Sequence, residues 1–398
     1  MTSILISILA LGFIITIHEL GHFLFAKLFK VGVVEFSLGM GPTVFSFVKG
    51  ETRYSLRLLP FGGSCMMVGE EADESDQNED RKIQSFVNGV SEEKTREIEE
   101  EYILIDGRKY AKSSQFVFKP AWQRFLIIIA GPVFNFILAF ILSIFITTQV
   151  GYDKPFINAV EQGMPANEAG LESGDLIRYI SVDGSKSRVT VARDISVFLL
   201  MHQDEINSLK PVKLGYIDIS DGYTKKEVII TPSFDNESGR GLMGIRFNIG
   251  YVPIEGFTEL IKYSAYNVEY CIKATIKSLQ MLVSGDVGKD DVMGPVRMVA
   301  TMDQNVDEAM DYGLMVSLLT LFDMMILISG SLGAMNLLPV PALDGGRLLF
   351  IIIEMIRGKA VPRELESKIH MIGMTLLLIF MVLIFFNDIL YLILNVWR

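Results

Sequence analysis

Long apolar runs are separated by polar stretches along this chain, and four of the runs are long enough to cross a membrane. A helix needs about 20 predominantly apolar residues to span the hydrocarbon core of a bilayer. The four runs cover residues 3–29, 125–150, 313–338 and 369–397. This pattern predicts four transmembrane helices, which we place in the segments 1–30, 121–150, 313–346 and 369–398.

Residues 31–120 carry a strand pattern that is followed by a charged stretch. Two β-prone stretches, 43–48 and 53–59, flank Lys49-Gly50-Glu51, which is a typical hairpin signal. We therefore predict a β-hairpin in this segment. Residues 70–118 form a largely acidic insertion, to which we assign no chemistry.

The polar segment between the second and third runs is the longest of the chain. Residues 152–250 combine short β-prone stretches with turn glycines, which predicts a small α+β domain. Residues 251–312 include an amphipathic stretch, 257–283, which favours a helix at the membrane surface. The predicted fold class is a polytopic α-helical membrane protein with four transmembrane helices, a β-hairpin, for which a resemblance described below implies association with the membrane, and an inserted α+β domain.

Composition agrees with this fold class and excludes one class of partner. Half of the 398 residues are hydrophobic and the mean hydropathy is +0.38, which is more apolar than is usual for a soluble enzyme of this length. The net charge of −11 argues against nucleic acid as a partner, because phosphate binding needs clustered Lys and Arg. The lipid bilayer is therefore the first partner that the sequence predicts.

Basic residues near the ends of the runs predict the orientation of the chain. Lys and Arg lie close to the membrane ends of segments 31–124 and 347–368, which makes both segments cytoplasmic by the positive-inside rule. Residues 152–250 and both termini are then extracytoplasmic. Cys65 and Cys271 lie on opposite sides in this topology, so we expect neither a disulfide nor a zinc site with Cys ligands.

The first run contains His18-Glu19-Leu20-Gly21-His22, an H-E-x-x-H motif. Residues four apart share a face of a helix, so both imidazoles can reach one metal ion, and Glu19 lies beside them as a general base. The alternative is an ordinary pair of core histidines. Ionisable residues inside a membrane span are costly and are retained mainly for function, which favours the metal interpretation.

Two histidines leave a catalytic zinc site incomplete, because such a site usually has three protein ligands. His202 and His370 are poor candidates for the third ligand, since one lies in the α+β domain and the other at the start of the fourth run. Two acids, Asp323 and Asp344, fit the third position better. An Asp-Gly turn that ends a helix is the alternative explanation of Asp344.

Three motifs of the chain are together similar to those of a known protein family. The H-E-x-x-H motif, the pattern N-x-x-P-x-P-x-L-D-G that begins at Asn336, and Gly131-Pro132-Val133-Phe134-Asn135 are similar to signature motifs of the bacterial site-2 proteases, which are intramembrane zinc metalloproteases. The resemblance implies Zn²⁺ as the cofactor and a place in a bacterial inner or plasma membrane. It further implies the following roles: metal ligands His18, His22 and Asp344; catalytic base Glu19; substrate-binding residue Asn336.

The resemblance is less specific about Gly131 and Asn135. A small residue and an Asn in a membrane span often only pack helices together, so a role in supporting the site and a role in packing both stay open. The predicted hairpin resembles the membrane-associated β-hairpin of the bacterial site-2 proteases, and such a hairpin can offer an edge to an unwound substrate strand. A plain cytoplasmic hairpin is the alternative.

The α+β domain carries a resemblance of its own. Pro165-Ala-Asn-Glu-Ala-Gly-Leu-Glu-Ser-Gly-Asp175-Leu-Ile, followed by Val182-Asp183-Gly184, is similar to the PDZ domains of bacterial proteases, and one copy fits the available length. PDZ domains bind extended peptides as an added strand, so peptide tails are candidate ligands. A filter that excludes bulky ectodomains is the other possibility that we keep open.

The predicted function is hydrolysis of peptide bonds in single-span membrane proteins, and the resemblance implies anti-sigma factors or remnant signal peptides as substrates. The alternative is a non-enzymatic metal or proton transporter, in which intramembrane His, Glu and Asp side chains form an ion path. A transporter is expected to show internal repeats, and we find none in the sequence.

Overall fold

A computed structural model of the chain describes residues 2–70, 102–235, 239–247, 251–285 and 292–396. The helices, in chain order, are α1 (Thr2–Leu28), α2 (Ala121–Val150), α3 (Pro165–Glu168), α4 (Ala192–Met201), α5 (Gln203–Asn207), α6 (Phe257–Ser284), α7 (Pro295–Met310), α8 (Leu314–Asn336), α9 (Asp344–Arg357) and α10 (Arg363–Val396). Most of the predicted acidic insertion, 71–101, lies outside the described residues.

The strands, in chain order, are β1 (Val33–Lys49), β2 (Thr52–Met67), β3 (Tyr102–Ile105), β4 (Arg108–Ala111), β5 (Ile157–Val160), β6 (Leu176–Val182), β7 (Ser185–Arg188), β8 (Val212–Asp218), β9 (Thr224–Ile230), β10 (Ser233–Asp235), β11 (Arg240–Leu242) and β12 (Ile245–Phe247). The chain divides into two compact units. The first unit is Met1–Ala139 with Gly288–Arg398, and the second unit is Phe140–Val287.

Four helices of the described chain are long and apolar enough to cross a membrane. Their candidate spans are Ile4–Leu28, Ala121–Val150, Leu314–Asn336 and Glu364–Tyr391. Each coincides with one of the four runs predicted from the sequence. The fourth span begins before the predicted residue 369, because the polar turn at the start of α10 is already helical.

Strands β1 and β2 form a sheet in which both strands bend. Phe36, in the first part of β1, has two β partners, Tyr54 and Cys65. The first part of β1 therefore lies between the first and the last parts of β2. As a result, residues 43–49 form one edge of this sheet and residues 63–67 form the other, and we call residues 63–67 the edge segment.

The hairpin prediction is confirmed in its position, but its limits are wrong. The two strands extend well beyond the predicted stretches 43–48 and 53–59. Glycines permit the bends that strand propensity does not reveal, because Gly39, Gly41 and Gly62 adopt φ angles of 85°, 87° and 86°. A Cβ atom at Gly39 would lie 2.3 Å from the carbonyl oxygen of Leu59, so the bend also depends on close backbone approach.

The core of the first unit joins the bent sheet to three helices. Its buried apolar residues come from α1, β1, β2, α2 and α9; they include Ala26, Phe36, Cys65, Ile127, Ile128, Leu348 and Ile351. Outside this core, the sheet exposes apolar side chains at Val44, Phe45, Phe47 and Leu58. An exposed apolar face of this kind fits a lipid environment better than water.

Helix α7 is fixed at its first turn by a carboxylate from a candidate span. Asp388 of α10 accepts the backbone N–H groups of Gly294, Val296 and Arg297 at 3.0, 3.1 and 3.0 Å. These groups belong to the start of α7, where backbone N–H groups have no partner inside the helix. The buried Asp388 therefore receives the hydrogen bonds that a carboxylate inside a membrane span requires.

The second unit is built around a four-stranded antiparallel sheet with the order β7-β6-β8-β9. Strands β5 and β12 form a separate antiparallel pair. The core beneath these strands is apolar; its most buried members include Ile157, Ile177, Ile195, Phe198 and Leu214. These elements bear out the predicted small α+β domain, and α6 bears out the helix predicted over 257–283.

Candidate metal and catalytic site

The H-E-x-x-H motif lies on α1, and the structure brings its two histidines to one carboxylate. The Nε2 atoms of His18 and His22 are 3.3 Å apart. Oδ2 of Asp344 lies 3.1 Å from Nε2 of His18 and 3.4 Å from Nε2 of His22. In the described part of the chain, these three residues form the one group of His, Cys, Asp and Glu side chains that could hold a metal ion.

The three donor atoms fit a zinc ion. Zinc binds imidazole nitrogen and carboxylate oxygen at about 2.0–2.2 Å in a tetrahedral arrangement, which places ligand atoms about 3.3–3.5 Å apart. The observed separations of 3.1, 3.3 and 3.4 Å lie close to this range. In addition, Oδ2 of Asp344 is buried and has no hydrogen-bond partner among the described residues, as expected of an atom reserved for a metal.

The other candidates for the third ligand are placed elsewhere. Asp323 lies in α8, outside the group formed by Asp344 and the two histidines. His202 hydrogen-bonds through Nδ1 with the carbonyl of Phe198 at 2.9 Å in the second unit. His370 accepts the N–H of Ala342 through Nδ1 at 3.2 Å, so it contacts the turn that precedes Asp344. It does not belong to the set of His18, His22 and Asp344, which we call the metal group.

Helix α2 presents residues 127, 131 and 135 to the two histidines of α1. Residues 127, 131 and 135 are four apart and therefore lie on one face of the helix. The carbonyl oxygen of Ile127 lies 2.9 Å from Nδ1 of His22. Asn135 contributes an amide whose nitrogen lies 3.3 Å from Nδ1 of His18. The Nδ1 atom of each motif histidine thus has a partner from α2, while both Nε2 atoms face Asp344.

Gly131 lies between these two partners and allows α2 to approach the histidines. A Cβ atom at Gly131 would lie 2.3 Å from Nε2 of His22 and 2.9 Å from Cε1 of His18. Gly21 of α1 faces the same contact, because its Cβ atom would lie 2.4 Å from the carbonyl oxygen of Ala130. Any side chain at Gly131 would therefore occupy the space of the imidazoles. The four-residue spacing of 127, 131 and 135 is a sequence signal for this shared face. The motifs single out Gly131 and Asn135 but not Ile127.

Asp344 is delivered by a tight turn between α8 and α9. It is the first residue of α9 and lies two residues after Ala342, which has an unusual φ of 79° for a residue with a side chain. Gly345 and Gly346 pack against the turn, because their Cβ atoms would lie 2.0 Å from the Leu338 carbonyl oxygen and 2.5 Å from that of Val340. The glycines after Asp344 therefore have a packing reason beyond a simple Asp-Gly turn.

Asn336 and Glu19 flank this arrangement. Asn336 is half-buried and is the last residue of α8, at the point where the chain leaves the helix toward Asp344. Glu19 is half-buried on α1, next to His18 in the chain. A Cβ atom at Gly63 would lie 2.9 Å from Cγ of Glu19, so the edge segment 63–67 passes directly beside the predicted base. No sequence motif indicates this contact.

Helix α9 is not among the helices predicted from the sequence. Residues 313–346 are predicted as one transmembrane helix and residues 347–368 as a cytoplasmic loop. In the structure, α8 ends at Asn336, and α9 runs from Asp344 to Arg357. Leu348 and Ile351 of α9 are buried in the core that surrounds the site. Sequence patterns do not reveal this helix, because its apolar stretch is too short for a membrane span and Gly345 and Gly346 weaken its first turn in any propensity estimate.

Intramembrane candidate spans that carry an H-E-x-x-H motif with a convergent aspartate define an intramembrane metallopeptidase. Comparison with known proteins agrees: the model of peptidase family M50 matches residues 6–380, and the chain belongs to this family. Similar relatives include the regulator of sigma-W protease RasP of Bacillus subtilis, with 31% identity over 96% of this chain and 97% of the relative. The zinc metalloprotease RasP of Geobacillus kaustophilus is 30% identical over 97% of each chain.

The protein is therefore a site-2 type zinc metalloprotease with Zn²⁺ as its cofactor, and the transporter alternative is not favoured. A solved structure of the PDZ domain of an SdrC-like protein from Listeria monocytogenes is also similar, with 24% identity. It covers 24% of this chain and 88% of the solved chain, with a TM-score of 0.18.

Proposed function

We propose that the enzyme cleaves single-span membrane proteins with His18, His22 and Asp344 as the zinc ligands and Glu19 as the catalytic base. The observation that carries this proposal is the convergence of the three donor atoms, beside Glu19, at separations that suit zinc. Bound zinc would supply Lewis-acid activation of water and of the scissile carbonyl. Glu19 takes the proton from the attacking water and returns it to the leaving amine.

Asn135 orients His18 in this proposal. Nδ1 of His18 must carry the proton and donate it if Nε2 is to bind a metal. The amide oxygen and nitrogen of Asn are nearly isosteric, and a half-turn of the amide places Oδ1 on the Nδ1–H group. This orientation also gives a partner to Oδ1, which is otherwise buried without one among the described residues. The backbone carbonyl of Ile127 orients His22 in the same way, by accepting a hydrogen bond from its Nδ1–H group.

The edge segment 63–67 holds the substrate as an added β-strand. A transmembrane helix satisfies its own backbone hydrogen bonds, so the scissile segment has to unwind before hydrolysis, and an open sheet edge replaces the bonds that are lost. Within the described residues, the ladder pairs this segment with β1 on one side only. Asn336, at the end of α8, would hold the substrate backbone on the other side of the scissile bond.

The substrates that we propose are anti-sigma factors or remnant signal peptides. The name of the Bacillus subtilis relative, regulator of sigma-W protease, supports a regulator of a sigma factor as a substrate of this enzyme. The second unit acts either as a PDZ domain that binds peptide tails or as a filter against large ectodomains. We favour the filter slightly, because all proposed catalytic groups and ligands belong to the first unit.

The basic loops support a topology in which the second unit is extracytoplasmic and both termini are outside. Cys65 and Cys271 are both buried, so the native thiols are poor reporters of sidedness. Single cysteines at two exposed positions, Lys225 and Arg357, are better reporters. We expect a membrane-impermeant thiol reagent to label Lys225→Cys from outside and Arg357→Cys only after the cells are opened.

A substrate experiment tests the proposed binding mode without altering the enzyme. A synthetic single-span peptide is made with N-methyl groups on alternate residues around the scissile bond, and a second peptide carries the same groups shifted by one residue. Alternate N–H groups of a strand point to opposite sides, so we expect one peptide to resist cleavage and the other to be cut. Equal cleavage of both would contradict strand addition.

A further inference from the structure

The carboxylate of Glu70 connects the edge segment to the helix that carries Asp344. Glu70 follows the edge segment, and its Oε2 accepts the backbone N–H of Met67 at 3.2 Å. Its other oxygen, Oε1, forms an ion pair with the guanidinium of Arg347. The side chains of Glu70 and Arg347 are 14% and 32% exposed, so the pair is largely shielded from water.

Arg347 lies in the first turn of α9, three residues after Asp344. Residues three apart are neighbours on a helix surface, so Arg347 and Asp344 move together as parts of one rigid turn. Gly345 and Gly346 pack that turn closely against the chain before it. A continuous connection therefore runs from Met67 of the edge segment through Glu70 and Arg347 to the carboxylate that faces His18 and His22.

We propose that Glu70 and Arg347 are positioning residues that fix the register of the edge segment, and of a substrate strand bound to it, relative to the metal group. This inference rests on the proposed binding of substrate at the edge segment. A strand that slips by two residues keeps its side chains on the same faces but moves by about 6.6 Å along its axis. Such a slip brings a different peptide bond to the metal group. Hydrolysis of a single peptide bond of the substrate therefore requires an edge segment whose position relative to the metal group is fixed.

A second ion pair on α9 provides a matched control. Glu354, near the end of α9, pairs with Arg124 of α2, and the side chains are 20% and 15% exposed. This pair also joins α9 to a neighbouring element, and it is as buried as the first pair. It has no hydrogen bond to the edge segment among the contacts of the described residues. Glu354→Gln therefore removes an ion pair of α9 without touching the proposed connection.

The experiment compares wild type, Glu70→Gln, Arg347→Gln, Arg347→Lys and Glu354→Gln on one single-span substrate. Cleavage positions are read by mass spectrometry, and kcat, KM and bound zinc are measured on the same samples. Charged hydrogen bonds of this kind support a decrease of about tenfold in kcat/KM for Glu70→Gln and Arg347→Gln. We expect these two variants to cut at additional bonds on either side of the wild-type position while retaining zinc.

Arg347→Lys keeps the charge and is expected to restore most of the single cleavage position, and Glu354→Gln is expected to cut as wild type does. A single wild-type cleavage position in both Glu70→Gln and Arg347→Gln would overturn the inference. So would an equal spread of positions in Glu354→Gln. The two N-methylated peptides distinguish failure of this inference from failure of the proposed substrate binding. If both are cut equally, strand addition fails; if one resists cleavage and the Glu70 variant is unchanged, only the positioning role fails.

Discussion

The two units of the protein achieve stability and specificity by different means. In the first unit, buried polar side chains such as His18, Asn135 and Ser329 each have a specific partner, and Ser329 donates to the carbonyl of Asn135 at 2.8 Å. In the second unit, the core beneath the sheet is apolar, and several ion pairs lie on the surface, as between Arg246 and Glu161, although the buried Asp194 is also held by specific partners. Buried polar groups that have such partners are therefore difficult to replace in either unit, while the surface of the second unit is expected to tolerate many polar substitutions.

The largest effect is expected at Glu19. Glu19→Gln removes the proton acceptor but keeps the shape of the side chain, so we expect turnover to fall by about 10²–10⁴-fold, the range that general base catalysis contributes. Zinc content and folding should be retained, because Glu19 is not one of the three convergent ligands. The measurement is cleavage of a single-span substrate by purified enzyme.

Glu161→Gln serves as the control from the second unit, since Glu161 forms an exposed ion pair with Arg246. It should cut as wild type does. Turnover of Glu19→Gln near the wild-type rate would show that another group acts as the base.

The second effect separates two aspartates of the first unit. Asp344→Ala removes one of the three proposed ligands, and we expect zinc affinity to fall by more than about 100-fold, the upper range seen when only an outer partner is lost. Asp323→Ala should retain zinc, because Asp323 lies outside the convergent group. Zinc per protein, measured by elemental analysis after dialysis against a weak chelator, decides between them. Loss of zinc in Asp323→Ala alone would reverse the assignment.

The third effect compares one asparagine from each unit. Asn135→Ala removes the partner of His18 Nδ1, and outer partners of this kind typically contribute about 10–100-fold to metal affinity or activity. Asn267→Ala removes an amide that donates to Ser143 at 2.8 Å in the second unit. We expect it to leave zinc affinity unchanged. Equal zinc affinity in the two variants would favour helix packing as the role of Asn135.

Much of the site could be predicted from the sequence because its chemistry is local. His18, Glu19 and His22 lie within one turn and a half of helix, and the membrane setting makes their charges informative. Gly131 and Asn135 were visible as residue types, but their roles stayed open. What decides between support and packing is the distance to another helix, as in the close approach of Gly131 to His22. No local pattern encodes that distance.

The bent sheet shows where prediction from sequence fails. The turn at Gly50 is a local signal and was found, whereas pairing of Phe36 with both Tyr54 and Cys65 is set by contacts far apart in the chain. The edge segment was not assigned as a strand for this reason. Its position beside Glu19 depends on Gly63, where a side chain would collide with Cγ of the base.

The fourth effect concerns residues 153–251, the predicted α+β domain within the second unit. Tyr152 and Val252 exchange both backbone hydrogen bonds, at 2.9 and 2.8 Å, so residues 153–251 can be replaced by a short Gly-Ser linker between two adjacent points. If the unit is a filter, the shortened enzyme should cut a substrate with an intact ectodomain as well as a trimmed one. If it recruits substrates, cleavage of both should weaken.

The measurement compares full-length and shortened enzyme on one substrate with a long and a short ectodomain. Bound zinc is checked in the same samples, since retained zinc shows that the first unit is folded. Discrimination by ectodomain size that is as strong after excision as before would reject the filter.

The smallest effect is expected at the surface of the second unit. The pKa of the Asp218 carboxyl lies below its ordinary value, because the Ser220 hydroxyl and the Lys226 ammonium stabilise its charged form. A carboxyl whose pKa is lower in the folded state stabilises the fold at pH above its unfolded pKa of about 4, and this contribution is lost as the pH falls below that value.

Asp218→Asn should therefore reduce hydrogen-exchange protection of β8 and β9 slightly at pH 7. The difference from wild type should shrink as the pH falls below about 4, and it should disappear only once the pH is below the folded-state pKa, after correction for the intrinsic exchange rate. Cleavage activity at pH 7 should not change, because an exposed ion pair of the second unit contributes little to stability and nothing to the metal group. A large loss of activity in Asp218→Asn would break the contrast between the two units, since it would show that the first unit depends on the surface charges of the second.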